Sequence, residues 1–145
     1  LWGSKRTGPD LARVGEKYSD DWQVRHLADP RALVPESVMP QYAFLLDTPL
    51  ETESLPGRLA ALRAVGVPYS DAQIANAASD AFGQAMPDSD RAGGVLDRYG
   101  EETNLRIFDG RRDRLTEMDA LVAYLQILGG LTDLAARTQP ARGEN

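Results

Sequence analysis

One methionine in this sequence is set where a thioether could do chemistry. Met39 lies in Pro35-Glu36-Ser37-Val38-Met39-Pro40, a short run with a proline at each end. Each proline fixes its own φ and biases the residue before it toward an extended conformation. Val34 and Met39 therefore fit poorly inside a helix, and the loop should be stiff. Two readings follow. Met39 packs into a small core, the usual use of methionine as a flexible filler. Alternatively its sulfur is offered to a metal, most naturally a haem iron, for which methionine serves as an axial ligand.

The other reactive residue types narrow the choice. The chain has no cysteine, which excludes disulfides, thiolate metal sites and cysteine catalysis. It has one histidine, His26, and no Gly-x-Ser-x-Gly elbow to serve it, so a hydrolase ranks low. A histidine-rich metal site is equally out of reach. Gly93-Gly94 lacks the Lys-Ser/Thr of a phosphate-binding loop. His26 sits beside Leu27 in a helical stretch, where a satisfied structural histidine is the ordinary expectation. Met86-Pro87 is a second Met-Pro pair, but no proline stands four residues before its methionine. It reads as a loop methionine, and Met118 as core or helix surface.

The totals bound the class. At 145 residues the chain suits a single domain, and its 42% apolar and 26% charged composition is ordinary for a globular protein. No stretch approaches ~18 consecutive apolar residues, the length a membrane helix needs. The opening Leu1-Trp2-Gly3 has no initiator Met, basic n-region or apolar h-region, and reads as the middle of a longer protein. The net charge of −6 is uneven: residues 1–45 balance, and residues 46–145 hold the whole acidic excess. An acidic surface argues against nucleic acid and would suit a basic protein partner or simply solubility.

The elements that must carry Met39 are helical. Glycines break residues 1–18 into irregular loop. Ser19-Asp20-Asp21-Trp22 reads as a capped helix start, stopped at Asp29-Pro30. The loop that follows ends in Tyr42, Phe44, Leu45 and Leu46, which should be buried. Leu55, Leu59, Leu62 and Val65 repeat at helical spacing, with Gly66 placed to end that helix. Ser70 and Gln73 form a capping box for the next helix, which carries Ile74, Ala77, Ala78 and Phe82 and ends near Gly83. Residues 84–113 show weak periodicity and read as a surface excursion with a short helix near Ala92–Tyr99. Thr116 caps the final helix, whose face is Leu121, Val122, Leu125 and Leu128, extended by Tyr124, with Gly129-Gly130 at its end. No strand-like alternation occurs, so the class is all-α with long loops. The domain runs 1–131, and the polar tail 132–145 should fray.

Longer motifs, in order, carry a family resemblance. They are Trp2-Gly3-Ser4-Lys5-Arg6-Thr7-Gly8-Pro9-Asp10-Leu11, Tyr18-Ser19-Asp20-Asp21-Trp22, His26-Leu27, Asp29-Pro30-Arg31 and Val34 to Pro40. Leu62 to Tyr69 and Thr116 to Gln126 extend the match, and residues 84–113 are its least distinctive part. Together they resemble the monohaem subunit (CcoO or FixO) of cbb3-type cytochrome c oxidase.

That resemblance implies a class I cytochrome c-like domain with a helical insertion, carrying one haem c. It implies a module that moves electrons toward the oxygen-reducing subunit of a respiratory complex. The other partners implied are a dihaem cytochrome c subunit and a cytochrome c donor. The place implied is the periplasmic face of the bacterial inner membrane. By the same resemblance Met39 would be the distal axial ligand, and Pro9 would offer its carbonyl to the proximal histidine. Leu11, Tyr18 and Trp22 would pack near the porphyrin, and Lys5, Arg6 and Arg31 would face the propionates. The family's Cys-x-x-Cys-His attachment site is missing here, so the fold should be truncated at its N-terminus, and His26 should not be the proximal ligand. Without an N-terminal helix to cover it, the final helix should expose its leucine stripe and invite self-association. The alternative is a haem-free domain that keeps the scaffold for binding or assembly.

Overall fold

A computed structural model describes residue 8 and residues 10–129 of the chain. Lys5, Arg6, Pro9 and the expected tail at 132–145 lie outside the described residues. Within them the protein is helical, with one isolated bridge between Pro49 and Thr116 and no strand.

Helix α1 is Asp20–Ala28, and its start is built as the sequence anticipates: Ser19 Oγ accepts the Trp22 N–H at 3.2 Å. Asp20 and Asp21 lie at the positive end of the helix dipole, and Arg25 and His26 at the negative end. Pro30, which cannot continue α1, opens the single-turn α2, Pro30–Leu33. A loop carrying Met39 leads to a 3₁₀ turn, Ala43–Leu46.

Three helices then form an insertion. Helix α3, Leu55–Ala64, closes with Gly66 at φ +103°, where the Val67 and Gly66 N–H groups bond back to Leu62 and Arg63 carbonyls. A left-handed residue there suits glycine, which has no Cβ to clash. Helix α4, Asp71–Ala85, carries the full Ser70/Gln73 capping box and runs two residues past Gly83. Helix α5, Ala92–Tyr99, crosses α4 at Gly83, where a Cβ would stand 2.8 Å from Val95 Cγ2 and 2.9 Å from the Arg91 carbonyl oxygen. Asp80 of α4 is buried and receives both Arg98 Nε, at 2.9 and 3.1 Å, and Arg98 Nη2. Residues 84–113 are not merely a surface excursion: Ala85, Ala92, Val95 and Phe108 are buried, and Phe108 joins the main core.

Helix α6, Glu117–Ile127, is the spine of that core. Met118 and Val122 are fully enclosed, and Val14, Leu27, Ala85, Phe108, Leu115 and Leu125 complete the cluster. The start of α6 is a buried capping box in which Asp119 Oδ2 accepts from both the Thr116 N–H and its hydroxyl at 2.9 Å. Asp119 Oδ1 accepts the Asp109 N–H at 3.0 Å, pinning the end of the insertion to α6.

Three expectations need correction. The leucine stripe of α6 is not bare: Leu125 is buried, and Leu121 and Leu128 pack against the core beneath α1, the 3₁₀ turn and the N-terminal loop. Tyr124 is 56% exposed, because it lies two residues from both Val122 and Gln126 and faces away from them. Phe44 is 60% exposed, whereas Tyr42, Leu45 and Leu46 do pack on the core. The tight pitch of the 3₁₀ turn sends Phe44 to the side opposite its neighbours.

Candidate functional site

The Met39 loop is tied down at both ends. At its exit the Tyr42 N–H donates to the Leu27 carbonyl at 2.8 Å, and Gln41 Nε2 donates to Asp29 Oδ1 at 3.1 Å. At its entry the Ser37 N–H donates to the Val34 carbonyl at 2.9 Å. Arg31 Nε donates to the Ser37 carbonyl at 3.0 Å, and the Met39 N–H donates to Ser37 Oγ at 3.2 Å. Met39 is half-buried and packs against the core, while Glu36, Pro40 and the 72%-exposed Val38 face solvent. The three methionines are thus distinct. Met118 is enclosed in the core, Met86 closes α4 through its N–H to the Phe82 carbonyl, and Met39 sits at the margin of the core.

Trp22 and His26 of α1 stack in a column with Tyr18, which precedes the helix. Tyr18 lies 4.0 Å from Trp22, and Trp22 lies 4.6 Å from His26, each pair within 16° of parallel. Trp22 and His26, four residues apart, share one helix face, and Tyr18, just before the Ser19 cap, continues the stack. Lys17 Nζ sits 5.5 Å above the Tyr18 ring, in cation–π range. His26 departs from the ordinary structural histidine in one respect: its Nδ1 is buried without a hydrogen-bond partner. Gln23, one turn earlier on α1, has a buried and unpartnered Nε2 as well.

The column is held to α6 by a residue that sequence reasoning passes over. Buried Gln126 accepts the Glu16 N–H through Oε1 at 2.9 Å and donates through Nε2 to the Tyr18 carbonyl at 2.9 Å and Asp20 Oδ1 at 2.6 Å. Arg106 joins the same Asp20 carboxylate at 2.6 Å, so the insertion also bears on the start of α1. Only the amide of Gln126, at the far end of the last helix, could have signalled this, and nothing local marks it.

Of the residues expected at a haem, the structure brings Tyr18 and Trp22 together. It sets Tyr18 and Met39 against one core and ties Arg31 to the Met39 loop. Leu11 stands apart in the N-terminal loop, 52% exposed, in a turn closed by the Val14 N–H on its carbonyl. A separate cavity of about 240 Å³, bordered by Leu55, Leu59, Tyr69, Asp80 and Tyr99, lies within the insertion and includes none of these residues.

An all-α scaffold with Met39, on a stiff loop, and Tyr18 packed against one core is that of a cytochrome c-like domain. The sequence profile of the cytochrome c oxidase mono-haem subunit/FixO family matches residues 1–132, and the chain belongs to that family. No curated protein matches the chain. Membership makes it a haem-containing subunit of cytochrome c oxidase, working with partner subunits in a membrane-associated complex. Among the described residues no helix is long and apolar enough to cross a membrane.

The residues present fit one side of a haem. They supply a soft sulfur donor at the core margin, an exposed apolar Val38 on the same loop, and two buried, unpartnered nitrogens on α1. No cysteine is available for covalent attachment.

Proposed function

We propose that this chain forms the methionine side of an electron-transfer haem c module in a cbb3-type respiratory terminal oxidase. The observation that carries the reading is Met39, half-buried on a loop hydrogen-bonded at both ends. A bound haem c would supply reversible one-electron chemistry at its iron. The Met39 thioether would hold its iron and, by favouring the reduced metal, would raise the potential. Tyr18, Trp22 and Leu11 exclude water from the macrocycle, which lowers the local dielectric and adds to the same effect. Arg31, through the terminal nitrogens of its exposed guanidinium, would join Lys5 and Arg6 in holding propionate carboxylates. Pro9 would offer its carbonyl to the ring N–H of a proximal histidine, fixing that ring. The proximal histidine and the Cys-x-x-Cys-His cysteines, whose sulfurs form thioether bonds to the haem, would come from outside these 145 residues, and His26 remains stacked on Trp22.

The module performs no bond chemistry of its own. It passes electrons toward the oxygen-reducing catalytic subunit, with a dihaem cytochrome c subunit as neighbour and a cytochrome c as donor. Its place is the periplasmic face of the inner membrane.

The test is spectroscopic, on the complete subunit. The reduced c-type bands and the charge-transfer band of methionine-ligated ferric haem should both be present. Met39→Ala should abolish the latter and lower the reduction potential. A complete subunit without haem absorbance would favour the haem-free scaffold. Retention of the methionine band in Met39→Ala would remove Met39 from the iron.

A further inference from the structure

We infer that Ser37 and Arg31 are positioning residues that hold the Met39 thioether in place, an assignment that rests on Met39 being an axial ligand. Ser37 is the hub of the loop. Its N–H is spent on the Val34 carbonyl, its carbonyl on Arg31 Nε and its hydroxyl on the Met39 N–H. Pro35 and Pro40 have no N–H to contribute, so the prolines stiffen φ without tethering the loop to anything. Packing holds the Met39 side chain against the core but not the exposed backbone on either side of it. From Ser37 to Pro40 the chain alternates half-buried and exposed, and only Ser37 and Met39 turn toward the protein. That alternation is the mark of an extended segment, the conformation Pro40 imposes on the residue before it. An extended segment has no internal hydrogen bonds to fix its register. The Ser37 hydroxyl is what joins Met39 to the turn, and Arg31 joins that turn to α2.

The two contacts differ in weight. The Ser37–Met39 bond is partly buried, and the Arg31–Ser37 bond is exposed to water. The burial raises the worth of the first, and hydration competes with the second. A neutral thioether is a weak donor and yields its place to stronger bases when its backbone is free to swing. Ser37 therefore acts on how well the sixth position of the iron is defended.

The experiment uses the complete haem-loaded subunit with imidazole as the probe, its affinity read from the visible spectrum as it displaces the thioether. Ser37→Ala should raise imidazole affinity about fivefold, the equivalent of one net hydrogen bond, and Arg31→Gln about twofold. Ser37→Thr, which keeps the hydroxyl and favours extended backbone, should restore parental affinity. Ser37→Ala with parental affinity would overturn the assignment. So would equal gains in Ser37→Ala and Ser37→Thr, since these would mean a general loosening. Should Ser37→Ala fail to fold, the Arg31→Gln titration decides alone, with unchanged affinity overturning the brace. Met39→Ala is the separate control: if it binds imidazole no more tightly than the parent, it is the ligand reading that fails.

Discussion

Gly15 is the position where a single methyl group should do most damage to this domain. There the N-terminal loop crosses the end of α6, and an added Cβ would stand 2.4 Å from the Gln126 carbonyl oxygen and 2.6 Å from that of Leu128. Both obstacles are backbone atoms, so neither can rotate aside. Relief requires the loop and the helix to part by roughly 1 Å, since ordinary carbon–oxygen contact is near ~3.4 Å. Parting them stretches three bonds that join these segments: the Gly15 N–H to the Leu128 carbonyl, the Glu16 N–H to Gln126 Oε1, and Gln126 Nε2 to the Tyr18 carbonyl, each 2.9 Å. At about 1 kcal/mol apiece they total about 3 kcal/mol, similar to the strain of leaving the contact in place. Alanine returns about 0.5 kcal/mol by restricting the unfolded chain. Gly15→Ala should therefore cost about 2–3 kcal/mol in equilibrium urea unfolding followed by far-ultraviolet circular dichroism. Gly57→Ala is the matched control. Its Cβ would meet nothing within 4 Å in the first turn of α3, so helix propensity should stabilise by about 0.5–1 kcal/mol. A Gly15→Ala protein as stable as the parent would refute the close crossing of loop and helix.

Two further outcomes follow from buried charge. Asp80→Ala strands Arg98, whose side chain keeps only 22% of its surface in water, and should destabilise by about 3 kcal/mol, lowering the melting temperature by about 8 °C. Tyr99, whose phenol is raised by burial first and by the Asp80 charge second, should ionise at lower pH in the same variant; an unmoved ultraviolet titration would count against that contact. Asp119 is raised above the ordinary aspartate range, by burial first and also by the Asp109 charge, against the opposing Thr116 hydrogen bonds. The folded state then holds this proton more tightly than the unfolded chain, so its contribution is present at low pH and is lost as pH rises through the raised value. The stability gap between the parent and Asp119→Ala should be larger below about pH 4, under the ordinary aspartate value, than at about pH 8, and a gap that widens with rising pH would reverse the argument.

Helix ends were the most readable part of the fold. Ser19, Ser70 with Gln73, and Thr116 with Asp119 each cap where their spacing placed them, because a cap joins residues only three apart. Gly66 behaves the same way, its left-handed φ being a local need. Burial was less readable. Phe44, Val65 and Tyr124 are apolar or aromatic yet exposed, whereas Phe108, in the segment with the weakest pattern, is in the core. Hydrophobicity says which side chains gain by burial, and the packing of the whole chain decides which find room.

The same division runs through the site. The stiffness of Pro35 to Pro40 and the offer of a thioether at Met39 are properties of a few consecutive residues, fixed by the proline ring and the sulfur whatever surrounds them. The half-buried place of Met39 depends on helix packing. So do the Gly15 crossing and the Gln126 amide that joins Glu16, Tyr18 and Asp20 to α6. Those contacts link residues more than a hundred positions apart, and only the folded core brings them within hydrogen-bonding distance.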